Sequence, residues 1–163
     1  KQAHIKKIAL TLLSTLIITG CTAQSSAENR NSDHYAYLKK CENITLDNTP
    51  QQVNKNNFLK LLYKGEMIIN TTQFITSSKQ DMLVRVGWDP DISKAIADCD
   101  IEQMMIVLNA AKEPFEKLKA NTKSPTEREA LIKTYSAWEN YVSSPSRENK
   151  NNFNEKASYY KNI

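Results

Sequence analysis

From residue 101 onward, apolar side chains return at steps of three and four: Ile101, Met104, Leu108, Ala111, Phe115 and Leu118. Side chains with that spacing gather on one stripe only when the chain is helical, at about 3.6 residues per turn. The phase survives Pro114, so the segment reads as one helix kinked there. Phe58, Leu61, Gly65, Ile68, Thr72 and Ile75 carry the same pattern upstream, widened by Leu62 and Ile69. Leu131, Tyr135, Trp138 and Val142 carry it downstream, and Phe153, Ala157 and Tyr160 mark a last, very polar helix. Gly65 on its stripe would let another helix approach closely. Only 3 Gly and 5 Pro serve the 163 residues, too few for the many tight turns of a sandwich or barrel. The expected fold is all-α, a bundle-like domain of four or five helices.

Boundaries follow from capping chemistry. Thr49-Pro50, Ser124-Pro125 and Ser144-Pro145 each place a hydroxyl at an N-cap and proline in the first turn, and Glu127 completes a capping-box pattern with Ser124. The short link Ser143-Ser144-Pro145 predicts a C-terminal αα-hairpin. Asp33 is the expected cap of a first short helix carrying Tyr37, Leu38 and Cys41 on one face, followed by a loop over 43–48. Gly87-Trp88-Asp89-Pro90-Asp91 breaks the chain between the two longest patterns, with a further element through Ile92 and Ile96 to Cys99. One stretch reads two ways. Ile68 to Thr76 is dense in Ile and Thr, and Met82, Val84, Val86 and Trp88 alternate with their neighbours, so an α+β fold with a small hairpin around 68–88 stands beside the continuous helix.

The start of the chain is of another kind. Lys1, Lys6 and Lys7 precede an apolar run over 8–18, which closes at Ile18-Thr19-Gly20-Cys21. The run is shorter than the roughly 20 residues a bilayer crossing needs, and it has the layout of a secretory signal. At these 21 residues the chain resembles bacterial lipoproteins, whose lipobox ends in a small residue ahead of an acylated cysteine. The resemblance implies cleavage of a signal peptide at 1–20, acylation of Cys21, a polar lipidated tether over 21–32 and one folded domain over 33–163. It implies anchorage in the envelope bilayer. Thr22, where Asp would favour inner-membrane retention, implies the outer membrane, with the domain facing the periplasm. Cleavage after Ala27 at Ser25-Ser26-Ala27, giving a soluble secreted chain, is the alternative.

Acylation of Cys21 would leave Cys41 and Cys99 as a pair, either bridged, as an oxidising periplasm permits, or as two buried thiols. Removing the three signal lysines lowers the formal net charge from +4 to +1, which withdraws the case for nucleic acid as a partner. His34 is the one histidine outside the signal, no nucleophile motif or glycine-rich phosphate loop is present, and no cofactor is expected. The acids Asp89, Asp91, Asp98, Asp100 and Glu102 lack the EF-hand order and read as helix-start charges, so no metal site is assigned. The basic residues between Lys112 and Lys133 interleave with Glu113, Glu116, Glu127 and Glu129, the pattern of a solvated face. Tyr135, Trp138, Tyr141, Tyr159 and Tyr160 read as packing residues.

Arg85, Trp88 and Asp89 in the breaker form the candidate partner-binding surface, with Trp88 alternatively plugging the core beneath the turn. The best functional expectation is an envelope lipoprotein acting as a protein-binding or structural module, not an enzyme. Tyr37 to Cys41, Gly87-Trp88 and Ala97-Asp98-Cys99 resemble elements of type II secretion pilotins, a resemblance that implies a secretin chaperone with a helical groove; the segment 124–163 has no counterpart in that family. Periplasmic immunity proteins that block a cell-wall hydrolase share the expected architecture. A small-ligand binder or enzyme using the bundle core is the remaining alternative.

Overall fold

The computed structural model describes residues 24–46 and 53–163. Among them are five helices and no strand: α1 (Gln24–Lys39), α2 (Lys55–Val86), α3 (Pro90–Asn121), α4 (Pro125–Ser143) and α5 (Arg147–Asn162). The all-α expectation holds, and so does the C-terminal helical hairpin. The signal segment, Cys21 and the Thr49-Pro50 pair lie outside the described residues.

The fold is a long antiparallel α2–α3 hairpin with a second hairpin, α4–α5, packed on one half of it and α1 on the other. α2 packs most heavily on α3, and α4 on α5. Each long helix has 32 residues, about 48 Å at 1.5 Å per residue. Two separate cores result. The larger gathers Phe58, Leu62, Ile69, Val107, Phe115 and Trp138 with the inner faces of α4 and α5. The smaller, at the α2–α3 turn, holds four buried residues: Leu38 of α1 with Leu83, Ile92 and Ile96. Between Ile69 and Leu83, the only buried residue of α2 is Lys79, and between Ile96 and Val107 the only one of α3 is Gln103.

The stretch that could have been a hairpin is helical because helical geometry satisfies it. The Thr71 and Thr72 hydroxyls donate to the Met67 and Ile68 carbonyls at 3.0 and 2.8 Å, the back-bond of a helical threonine. Ile68 and Ile69 enter the main core, while Gln73 and Thr76 donate to Asp100 across the hairpin. Strand pairing would have set Val84 beside Met82 on one face; instead Leu83 is buried and Val84 is exposed.

Gly65 fulfils its expected role. A Cβ there would stand 2.7 Å from Trp138 Cζ2 and 3.1 Å from Val107 Cγ1. Its absence lets the fully buried indole of α4 lie against α2 and donate from Nε1 to the Leu62 carbonyl at 2.8 Å. Ser124 caps α4 as expected, accepting from the Glu127 amide at 3.3 Å, but the Glu127 carboxylate turns to Lys55 at 2.9 Å rather than closing the box.

Four boundaries differ from expectation. α1 begins at Gln24, so the segment expected as tether is helical from there and Asp33 is an interior residue. α2 begins at Lys55, capped by Asn54, whose side chain accepts from the Asn57 amide at 2.9 Å. α5 is capped by Ser146, because Ser144 serves as the C-cap of α4. α3 runs unbroken from Pro90 through Pro114, joining the two elements read on either side of Cys99. Its buried stripe departs from the expected one in the first half only: Ile96, Gln103 and Val107 are buried while Ile101 is exposed and Met104 and Leu108 are partly so, whereas Ala111, Phe115 and Leu118 are buried as expected.

Candidate protein-binding surfaces

The turn between α2 and α3 is built from three residues with separate tasks. Gly87 ends α2 with φ +125°, a conformation that side chains disfavour, and its amide still reaches the Leu83 carbonyl at 3.1 Å. Asp89 starts α3, its carboxylate accepting from the Asp91 and Ile92 amides at 2.9 and 3.1 Å. Pro90 fills the first helical position. Trp88, held between the glycine and the cap, points outward with 61% of its surface exposed. The plug reading is thereby corrected: the small core beneath is filled by Leu38, Leu83, Ile92 and Ile96. Arg85 is exposed, and Val84 adds an apolar side chain 67% exposed. Of the three residues expected at this surface, Arg85 and Trp88 are available and Asp89 is engaged as a cap.

α1 fixes how this turn lies relative to the chain's N-terminal side. The Tyr35 hydroxyl donates to the Gly87 carbonyl at 3.2 Å, and Lys39 and Lys40 lie by Cys99 and Lys79. α1 therefore runs from the turn toward the middle of the hairpin. Gln24 lies eleven residues ahead of Tyr35, about 16 Å of helix beyond the tip.

A polar belt separates the two cores and ties the segment after α1 to the hairpin. Cys41 and Cys99 form a disulfide with Cα atoms 5.4 Å apart. The Gln103 amide clasps Ile44, accepting from its N–H at 2.6 Å and donating to its carbonyl at 2.8 Å. Lys79 Nζ donates to the Lys40 carbonyl at 2.5 Å and sits over the Tyr37 ring, 5.3 Å from its centroid. Burial pulls the Lys79 ammonium below the usual lysine range, the nearby Glu42 opposing and Lys40 reinforcing that shift. A cavity of about 110 Å³ beside the bridge is lined by Thr72, Thr76 and Lys79 among others. Its volume is below the several hundred Å³ of a small-molecule site.

A second open surface lies between α3 and α4, a groove of about 550 Å³ whose lining was read in the sequence as core and solvated face. Its floor is the Phe115–Tyr135 pair, stacked with centroids 3.9 Å apart. Burial drives the Tyr135 hydroxyl well above the usual tyrosine range, with Glu139 adding to the shift. Met105 and Ile132 stand on the rims, 46% and 43% exposed, with Leu108 partly buried beside them. Leu108 and Phe115 belong to the stripe expected for α3, while Met105 and Ile132 beside them lie off the expected stripes.

The remaining charged clusters are locally engaged. Lys117 pairs with Glu113, Lys119 with Glu116 and Lys133 with Glu129, and the Arg128 guanidinium donates to the Thr122 carbonyl. Asp98 pairs with Lys94. Among the described residues no three His, Cys, Asp or Glu side chains converge as a metal site, and no helix is long and apolar enough to cross a membrane. His34 is exposed on α1, Tyr159 is exposed on α5, and Tyr135, Trp138, Tyr141 and Tyr160 are packed inside. No protein-family model matches the chain, and neither does any curated protein or solved structure.

Proposed function

We propose that this chain is an envelope lipoprotein, anchored through an acylated Cys21, that binds another protein with the tip of its α2–α3 hairpin. The observation that carries the reading is Trp88: a large aromatic side chain, mostly exposed, held on a turn with glycine, aspartate and proline each in a demanding position. Presenting an indole to water on a rigid support is unfavourable for the isolated domain, and such anchors dominate binding energy where a partner covers them. Val84 and Arg85 extend the same surface, matching the aromatic, aliphatic and arginine content of interface centres.

Export is supported by the bridge between Cys41 and Cys99, a bond that oxidising compartments maintain. With Cys21 acylated, the direction of α1 would favour a tip on the membrane side of the domain, and the partner would then present its binding segment close to the bilayer. The test is recovery of the intact protein with its partners from envelope membranes, with Trp88→Ala alongside. The reading expects one protein recovered in stoichiometric amount and lost by roughly thirtyfold with Trp88→Ala at unchanged fold, the scale of a hot-spot truncation. Recovery of a partner that Trp88→Ala does not disturb would remove the tip from the account.

A further inference from the structure

The outer side of α2 carries an exposed stripe of apolar and cationic residues, away from both cores. On a helix turning about 100° per residue, Lys60, Tyr63, Met67, Phe74 and Arg85 fall in one sector of about 60°. That sector lies opposite Gly65, Ile69 and Leu83, which face the cores. Tyr63, Met67 and Phe74 are 42%, 63% and 73% exposed, so Phe74 is more open to water than Trp88. The Tyr63 ring leans on Phe153 of α5, with centroids 5.4 Å apart, which holds it at the edge of the stripe.

The charge on this side is of one sign along most of its length. Between Lys55 and Gln80 the only acid of α2 is Glu66, which is buried and paired with Lys150 at 2.8 Å. Lys60 and Lys64, exposed beside Tyr63 and Met67, form no ion pair among the described residues, whereas Lys117, Lys119 and Lys133 of α3 and α4 are all paired. Asp81, also in the sector, stands one turn before Arg85 at the tip. Aromatic and thioether side chains flanked by unpaired lysines on a convex helix suit a membrane interface. There the apolar groups reach the acyl boundary while the ammonium groups stay with anionic headgroups.

We infer that the outer face of α2, from Lys60 to Phe74, docks on a bilayer surface bearing anionic headgroups, with Tyr63, Met67 and Phe74 entering the interface and Lys60 and Lys64 pairing with phosphates. The choice of a bilayer rests on the reading that Cys21 is acylated, which already holds the chain at one. With α2 lying along the membrane, Arg85 and the tip remain at its surface, where Trp88 would meet a partner. A second copy fits the face less well. A parallel pair sets Lys60 and Lys64 against their own copies, and an antiparallel pair sends the two tips to opposite ends.

The test is photolabelling of the full chain, isolated from envelope membranes and reconstituted in vesicles of phosphatidylethanolamine and phosphatidylglycerol. The probe is a diazirine-bearing phosphatidylglycerol, and mass spectrometry maps the labelled sites. Label is expected on Tyr63, Met67 and Phe74 as well as at the N-terminal end of the chain. The Lys60→Gln/Lys64→Gln variant, its fold checked by circular dichroism, should lower the α2 label by roughly tenfold or more, since each lysine near an anionic surface contributes about fivefold. Phosphatidylcholine vesicles with the matching probe should show the same loss. Label confined to the N-terminal end overturns the inference and leaves the acylated anchor standing. Label on α2 of a chain that carries no acyl group supports the inference and removes the anchor. Label on α2 that the lysine variant leaves unchanged, or no label at either place, also overturns it.

Discussion

Replacing Gly65 by alanine should destabilise the domain, although on propensity alone it would stabilise the helix. In the middle of a 32-residue helix, Gly to Ala gains about 1 kcal/mol of helix propensity. Against this, the new methyl would lie 2.7 Å from Trp138 Cζ2 and 3.1 Å from Val107 Cγ1. Neither neighbour is the free end of a flexible chain, because the indole and Val107 are both fully buried. Over-packing of this kind costs about 2 kcal/mol. Displacing the indole also stretches its 2.8 Å hydrogen bond to the Leu62 carbonyl, at about 1 kcal/mol. The expected net loss is about 2 kcal/mol, or a melting midpoint lower by roughly 6 °C. Urea unfolding followed by circular dichroism measures it, and combining Gly65→Ala with Trp138→Phe should show a smaller alanine penalty because less ring is displaced. If Gly65→Ala were as stable as the parent or more so, the packing of α4 on α2 described above would be wrong.

Other consequences are local. Replacing Cys41 and Cys99 by serine opens a loop of 58 residues' separation and should cost up to about 4 kcal/mol in the chain-entropy account; hydrogen exchange should rise first in α1 and residues 40–46 and last in α4 and α5, which share no contact with α1. The Tyr160 hydroxyl is buried with no hydrogen-bond partner among the described residues, so Tyr160→Phe should stabilise by about 1 kcal/mol in the same urea assay while keeping the ring beneath Lys55. Burial, with Glu127 adding to it, pushes that hydroxyl up to about 12. The folded state therefore holds a proton that the unfolded chain releases near pH 10. Its contribution to stability is full below about pH 10 and is lost as pH rises toward about 12, a window that urea midpoints and phenolate absorbance would both report and that Tyr160→Phe should narrow.

How much of this could be read from the chain depends on where each residue's partner lies. The stripe Leu131, Tyr135, Trp138 and Val142 was legible because burial on α4 is one-sided and follows the helical period alone. Gly65 was legible as a close approach, but its neighbour Trp138, 73 positions away, was not. α3 misled only in its first half, since Ala111, Phe115 and Leu118 are buried as their spacing predicts. Its buried row includes Gln103, whose partner is the Ile44 backbone 59 residues earlier, so a polar side chain hides inside a core stripe. Ile101 is exposed. Caps shifted as well: Asn54 caps α2, and Ser146 caps α5 because Ser144 already closes α4, a division that the Ser144-Pro145 pair does not reveal. Trp88 could be a plug or an exposed side chain from sequence alone, and filling of the small core by Leu38 from α1 excludes the plug.

The central claim, that this helical domain is delivered to and held at a membrane by Cys21, is tested most directly by the mass of the mature N-terminal peptide from protein made in a bacterial envelope. The account predicts a chain starting at Cys21 and heavier than its sequence by a diacylglyceryl group and a further acyl chain. An unmodified chain starting at Glu28 would contradict it.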